Sequence, residues 1–333
     1  MIKSGSKGEF VRRASTCRNW IQEGTAFPPA AGRYHLFISH ACPWAHRCNI
    51  VRSIKGLENV ISMSAVHPIW QLTKPDTDQH SGWTFVSDDH HPQPFRPPFC
   101  TGDAAFTVDP KDVTNPINSA RTIRELYGMA GVEAKTFSVP ILWDTQTQQI
   151  INNESSDIIR IFNSAFNSFS TCPDVDLYPD NLKPDIDAIN DRVYDNVNNG
   201  VYRCGFAITQ GAYDTAVSAL FDTLDHVEDV LSTQPYLTGH AFTEADIRLF
   251  VTLIRFDEVY VVHFKTNKKL LREYPNLFNY TKAIYQRNGV AQTVNLTHIR
   301  QHYYGSHADL NKFAILPAGP GTDFMAPHDR NRF

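Results

Sequence analysis

The sequence predicts an α/β region followed by an all-helical one, and three observations predict it. Strand and helix patterns in the first half run in the order βαβ, α, ββ, α. From about Pro173 every sustained pattern is helical. The chain has 333 residues, and an ordinary domain takes roughly 100–200, so two cores are expected.

The first strand covers residues 34–39, where β-prone side chains run up to a small-residue turn at His40-Ala41. Pro43 follows at once, and its missing N–H suits the first turn of a helix, so a helix should begin near Cys42. Ala45, Ile50, Val51 and Ile54 give that helix a loose apolar face, and Gly56 gives it a stop. A second strand spans about 60–66. Residues 67–116 are dense in Pro, Asp, His and Gly without a sustained period, which reads as a long surface excursion. A helix over about 118–127 comes next. Residues 139–143 and 149–152 are then two strands joined by a hairpin turn. Glu154-Ser155-Ser156-Asp157 opens a further helix, an acidic and hydroxyl-rich start ahead of Ile158, Ile159, Ile161 and Phe162.

In the second half the helical patterns cover residues 182–198, 209–232, 244–259, 275–287 and about 296–304. The organisation expected is an N-terminal extension over 1–31, a first domain over 32–166 with the inserted loop, a helical domain over 173–313, and a draped or frayed tail over 314–333.

Composition excludes several classes. Hydrophobic residues make up 42% and aromatics 12%, ample for burial and unlike a disordered chain. No run approaches the roughly 18 apolar residues of a membrane span, and the basic N-terminus lacks an apolar stretch, so neither membrane nor secretory route is expected. A net charge of −4 argues against a nucleic-acid surface. The six cysteines, at 17, 42, 48, 100, 172 and 204, form no C-x-x-C pair, which speaks against a zinc framework or a disulfide-stapled module and fits a reducing, cytoplasmic compartment.

Cys42 carries the chemistry. It lies where a strand passes into a helix, and there unpaired backbone N–H groups and the helix dipole favour a thiolate. An arbitrary cysteine is more often a buried packing residue; this position points to a nucleophile. Cys42-Pro43-Trp44-Ala45 has alanine where a dithiol oxidoreductase would carry its second cysteine. A single thiol can take up a group as a mixed disulfide, which an outside thiol, such as glutathione, must then resolve.

Cys42-Pro-Trp-Ala-His-Arg47 after a strand resembles the signature of the glutathionyl-hydroquinone reductases, the Xi class of glutathione transferases. Similar to that family too are the stretches running from Asn152 to Arg160, Asn199 to Ala207, Leu249 to Tyr260 and His302 to Ser306, along with Gly8-Glu-Phe10 and Arg18-Asn-Trp20. The resemblance reaches from the N-terminal segment to about Pro320. It implies a thioredoxin-like N-terminal domain, an all-helical glutathione-transferase C-terminal domain and a homodimer.

The same resemblance implies a glutathione site. Val139 would precede a cis Pro140 opposite the cysteine and pair with glutathione's backbone in strand fashion. Glu154 would take the γ-glutamyl ammonium and Ser155 its carboxylate, although read alone the two are a helix cap. Trp83 would line the site. Arg96, Arg121 and Arg124 all compete for the glycyl carboxylate, with Arg124 preferred, because the loop over about 88–112 departs from the family pattern. Tyr202, His263 and Tyr303 match positions lining a hydroquinone pocket, with Tyr304 a near equal to Tyr303; without the resemblance they read as core or interface.

No metal is expected. His298 and His302 stand at the i, i+4 spacing but lack a glutamate between them, and His90-His91 has no partner ligands nearby. Cys48 and Thr266 depart from the residues expected at their positions, and Cys48, nearly two helical turns beyond Cys42, reads as packing. The resemblance thus implies glutathione-dependent reduction of glutathionyl-hydroquinones through a Cys42–glutathione mixed disulfide. The alternatives are an Omega-like thioltransferase or dehydroascorbate reductase, and a non-catalytic carrier of aromatic ligands.

Overall fold

The structure, a computed structural model, describes residue 5, residues 8–89, residue 91 and residues 93–333. It divides into two compact units. A sheet unit comprises Ala14–Val175 with Gln292–Pro317, and a helical unit comprises the described residues up to Arg13, Asp176–Ala291 and Ala318–Phe333.

The sheet unit begins with β1 (Tyr34–Ile38), α1 (Pro43–Ile54), β2 (Ser62–Ala65) and the short pair β3 (Gln71–Leu72) and β4 (Ser81–Gly82). α2 (Ile123–Met129), β5 (Ile141–Asp144), β6 (Gln149–Asn152) and α3 (Ser155–Ser164) follow. The main sheet has the order β2-β1-β5-β6. β1 is buried along its whole length, parallel to β2 with Phe37 opposite Ser64 and antiparallel to β5 with Phe37 opposite Ile141. That is the thioredoxin-like arrangement. Asp144 ends β5 because its carboxylate is occupied: Arg33 donates to both oxygens at 2.6 and 2.9 Å, and Gln146 N–H and the Thr147 hydroxyl donate to it as well.

Two expectations for this unit need correction. The helix expected over 118–127 starts later, because the Asn115 side chain donates to Asn118 Oδ1 and the Ala120 carbonyl, holding a turn, while Thr122 caps α2 by accepting from Glu125 N–H. The loop over 67–116 is more than an excursion. Ile69, Val86, Phe95, Phe106 and Val113 are buried in a small core of their own with Ala314. Single apolar residues about ten apart, each sending one side chain into a common cluster, leave no period to detect.

The helical unit contains α4 (Lys183–Val193), a π turn (Tyr194–Asn198), α5 (Gly200–Gly205) and α6 (Gln210–Thr233). α7 (Glu244–Leu253), a second π turn (Phe256–Tyr260), the single turn α8 (Val261–His263) and α9 (Pro275–Tyr285) complete it. Thr209 caps α6, and Thr243 with Asp246 forms a capping box on α7. α10 (Leu296–Ser306) belongs to the sheet unit. The compact units therefore do not follow the linear boundaries expected at 32–166 and 173–313, since a helical period says nothing about which core the helix joins. The tail is draped but pinned: Arg330 donates to the carbonyls of Leu231 and Gln234, and Gln286 to those of Phe324 and Ala326. No described helix is long and apolar enough to cross a membrane.

Candidate active site

β1 delivers the chain to a turn in which Ser39 accepts twice, from Ala41 N–H on its hydroxyl and from Cys42 N–H on its carbonyl. Cys42 is thereby set at the N-cap of α1, in an extended conformation ahead of Pro43. Its thiol is buried and donates to the Val139 carbonyl oxygen across 3.5 Å. The Val139–Pro140 peptide is cis. Cysteine, Val139 backbone and helix N-terminus thus converge within the sheet unit.

Glu154 rather than Ser155 caps α3. Its Oε1 accepts from Ser156 N–H at 3.1 Å and from the Ser156 hydroxyl at 3.1 Å, while Oε2 accepts from the Ser15 hydroxyl at 2.9 Å. Ser155 is the first helical residue and buried, and its hydroxyl accepts from Arg47 Nη1 at 3.4 Å. The Arg47 guanidinium also lies 4.5 Å from the Trp44 ring centroid. This end of the unit therefore offers a carboxylate, a hydroxyl and a helix N-terminus, the groups an amino acid's ammonium and carboxylate require.

Trp83 is nearly buried, its ring centroid 4.5 Å from that of His302 and 5.6 Å from that of Trp70. His302 is fixed through Nδ1 on the Pro68 carbonyl at 2.8 Å. Tyr303 joins the same cluster, 5.3 Å from the His302 ring, so it lies with the sheet unit rather than with the helical domain expected to hold it. Tyr303 and Tyr304 are both buried. Arg124 is engaged by Asp78 at 2.7 and 2.9 Å and by the Thr73 hydroxyl at 3.2 Å. Arg96 donates to the Asp103 carbonyl.

Tyr202 and His263 lie in the helical unit. Tyr202 is half-buried among Phe10, Phe206, Tyr260 and Phe264, with the Arg12 guanidinium 5.2 Å from its ring centroid. Asn199 accepts from Arg12 Nε at 2.8 Å and holds that cation in place. His263 is buried on α8, and desolvation, reinforced by Lys265, pushes its pKa down to about 4. The imidazole is neutral at neutral pH.

The pattern of the "Glutathione S-transferase, N-terminal domain" matches residues 41–165 and that of the "Glutathione S-transferase, C-terminal domain" residues 210–283. Glutathionyl-hydroquinone reductase YqjG of Escherichia coli is 42% identical over 97% of this chain and 93% of its own. Glutathionyl-hydroquinone reductase PcpF of Sphingobium chlorophenolicum is 43% identical over 95% and 91%. The chain belongs to the Xi-class glutathione transferases. The glutathione-S-transferase Xi from Phanerochaete chrysosporium superposes with a TM-score of 0.85 at 43% identity, covering 98% of this chain and 97% of that one. A "Glutathione S-transferase omega-like 2" of Schizosaccharomyces pombe is 41% identical over 95% of both chains.

In this Xi-class chain several residues at the site escaped the sequence reading. Ser15, Asn153 and Arg47 were visible only as members of quoted stretches or not at all, and His302 was read only for its spacing to His298, because each acts on another side chain rather than through a motif of its own. Cys48 is fully buried and burial pushes its thiol well up, consistent with packing. Among the described residues no group of three or more His, Cys, Asp or Glu could hold a metal ion, and His90 lies outside them.

Proposed function

We propose that this protein removes glutathione from glutathionyl-hydroquinones. The observation that carries the reading is the lone Cys42 at the start of α1 beside the Val139 carbonyl, with Ala45 where a second thiol would stand. The Cys42 thiolate attacks the sulfur of the bound conjugate. A Cys42–glutathione disulfide forms as the aryl carbon–sulfur bond breaks, the carbon takes a proton, and the hydroquinone leaves. A second glutathione thiolate then attacks the glutathionyl sulfur, releasing oxidised glutathione and restoring Cys42. The aryl carbon gains two electrons, which the two thiols supply on becoming a disulfide.

In this reading the Val139 backbone aligns glutathione, Glu154 and Ser155 hold its γ-glutamyl end, Trp83 lines the site and Arg124 meets the glycyl carboxylate. Tyr202, His263 and Tyr303 steady the hydroquinone oxygens. A cytoplasmic homodimer completes the proposal, and light scattering on the purified chain tests the dimer. Assay with glutathionyl-menadiol or a chlorinated conjugate tests the activity. Strong turnover supports it. Turnover of small disulfides alone would favour the thioltransferase reading that the omega-like relative's name suggests, and binding without turnover a carrier.

A further inference from the structure

Residues 15–19 run antiparallel along the end of β6. Asn19 N–H donates to the Ile151 carbonyl at 3.0 Å, Asn153 N–H to the Cys17 carbonyl at 3.0 Å, and Cys17 N–H to Asn153 Oδ1 at 3.0 Å. Arg18 closes the segment with an ion pair to Asp157 in the first turn of α3. These bonds bring Ser15 onto Glu154, where its hydroxyl donates to Oε2 at 2.9 Å and lies 3.3 Å from the Asn153 carbonyl. With Oε1 held by Ser156, both oxygens of the carboxylate are anchored and its plane is fixed. Among the described residues no Lys or Arg reaches ion-pair distance of Glu154. A half-buried carboxylate held by hydroxyl and amide donors, with no ion-pair partner in contact and Arg18 acting on it only at longer range, is preorganised for a positive charge that comes from a ligand. Oε2 receives a single donor in Ser15, and a carboxylate oxygen has lone pairs for a second.

We propose that Ser15 is a positioning residue for glutathione: it orients Glu154 toward the γ-glutamyl ammonium, so the N-terminal extension is part of the binding site. The proposal rests on the assignment of Glu154 to that ammonium. The extension is needed because α3 itself supplies donors to one oxygen only. The same segment extends the brace toward the cysteine side: Asn153 Nδ2 donates to the Tyr127 hydroxyl at 2.9 Å, and that hydroxyl donates to the Ser138 carbonyl at 3.2 Å, one residue before Val139.

The test compares Ser15→Ala, Ser15→Thr and Glu154→Gln in the full chain, by calorimetric binding and steady-state kinetics. The ligands are glutathione and its des-amino analogue, in which a glutaryl group replaces γ-glutamate and the ammonium is absent. Ser15→Ala should weaken glutathione about five- to tenfold, the worth of one charge-assisted hydrogen bond, with kcat unchanged. It should leave the des-amino analogue unaffected, and Ser15→Thr should restore glutathione binding. Thermal melting confirms that each variant is folded. Equal losses on both ligands would show a general structural role and overturn the proposal, as would unchanged glutathione binding in Ser15→Ala while Glu154→Gln still discriminates the two ligands. If Glu154→Gln itself fails to discriminate them, the assignment of Glu154 falls and the proposal with it.

Discussion

Arg124 and Asp78 form a two-pronged ion pair, with guanidinium nitrogens 2.7 and 2.9 Å from the two carboxylate oxygens. The bond to Arg124 is the main reason the Asp78 carboxyl is held down at about 2. Its folded value lies below its unfolded one, so the pair is complete above about pH 4 and is lost only as pH falls toward 2. The arginine proposed for the glycyl carboxylate is therefore already occupied at any working pH.

Competition follows from that geometry. If Arg124 serves glutathione, Asp78→Asn should lower KM for glutathione about two- to fivefold by releasing the guanidinium, and Arg124→Gln should raise it. A rise in KM for both variants would mean that the pair braces the loop and that another group meets the carboxylate.

Cys42→Ser should reduce turnover more than about a hundredfold in a protein that melts normally, because serine has no accessible anion near neutral pH. Cys48→Ser should do the reverse, retaining turnover while losing about 1–2 kcal/mol of stability from a hydroxyl placed in a fully buried site. Parallel melting curves and rates decide between them.

Four of the buried histidines among the described residues weaken the fold toward acid. Burial pushes His35, His67 and His298 down to about 3 and His263 to about 4. Their unfolded values lie near 6.5, so below that pH the unfolded chain binds more protons and stability falls as pH falls. Each contributes up to about 1.4 kcal/mol per pH unit. Tm should decline steadily from pH 6.5 to 4.5, less steeply in His263→Asn. The pH–rate profile should show no inflection from His263 between pH 6 and 8; finding one would mean that ligand binding restores its ordinary pKa.

Arg330 caps the end of α6 with a positive charge, donating to Leu231 and Gln234 carbonyls at 2.7 and 2.5 Å, and it carries the Phe333 ring 4.6 Å away. Arg330→Ala should cost about 2 kcal/mol, read by urea unfolding. Unaltered stability would mean that the tail is held by its other bonds alone.

Local chemistry made the fold legible and tertiary partnership did not. Pro43 announced α1 and the Glu154-Ser155-Ser156-Asp157 run announced α3, since caps and fixed φ act within a turn. That α10 joins the sheet unit, or that Phe95 and Phe106 share a core with Ala314, depends on contacts far apart in sequence. At the site, Cys42 and Glu154 were readable because each sits at a helix start. Ser15 was not, because its role comes from residues 138–139 positions away.

The phenols of Tyr202 and Tyr303 provide the most selective test of the roles proposed for them toward a hydroquinone. The Arg12 guanidinium over the Tyr202 ring strengthens that phenol as a donor, and His302 and His307 ring edges fix Tyr303 at centroid distances of 5.3 and 5.7 Å. Tyr202→Phe and Tyr303→Phe each remove one hydroxyl and conserve shape. A hydrogen bond lost from an oxygen on which charge develops should lower turnover of an aromatic conjugate roughly tenfold. Reduction of a small glutathione mixed disulfide should barely change, because its leaving thiolate needs no phenolic donor. Arg12→Gln should reproduce part of the Tyr202→Phe loss on the conjugate alone, acting through the ring it covers. Tyr304→Phe serves as the comparison for the adjacent position. Equal losses on both substrates would place these residues in folding or glutathione binding, and the hydroquinone assignment would then have to be given up.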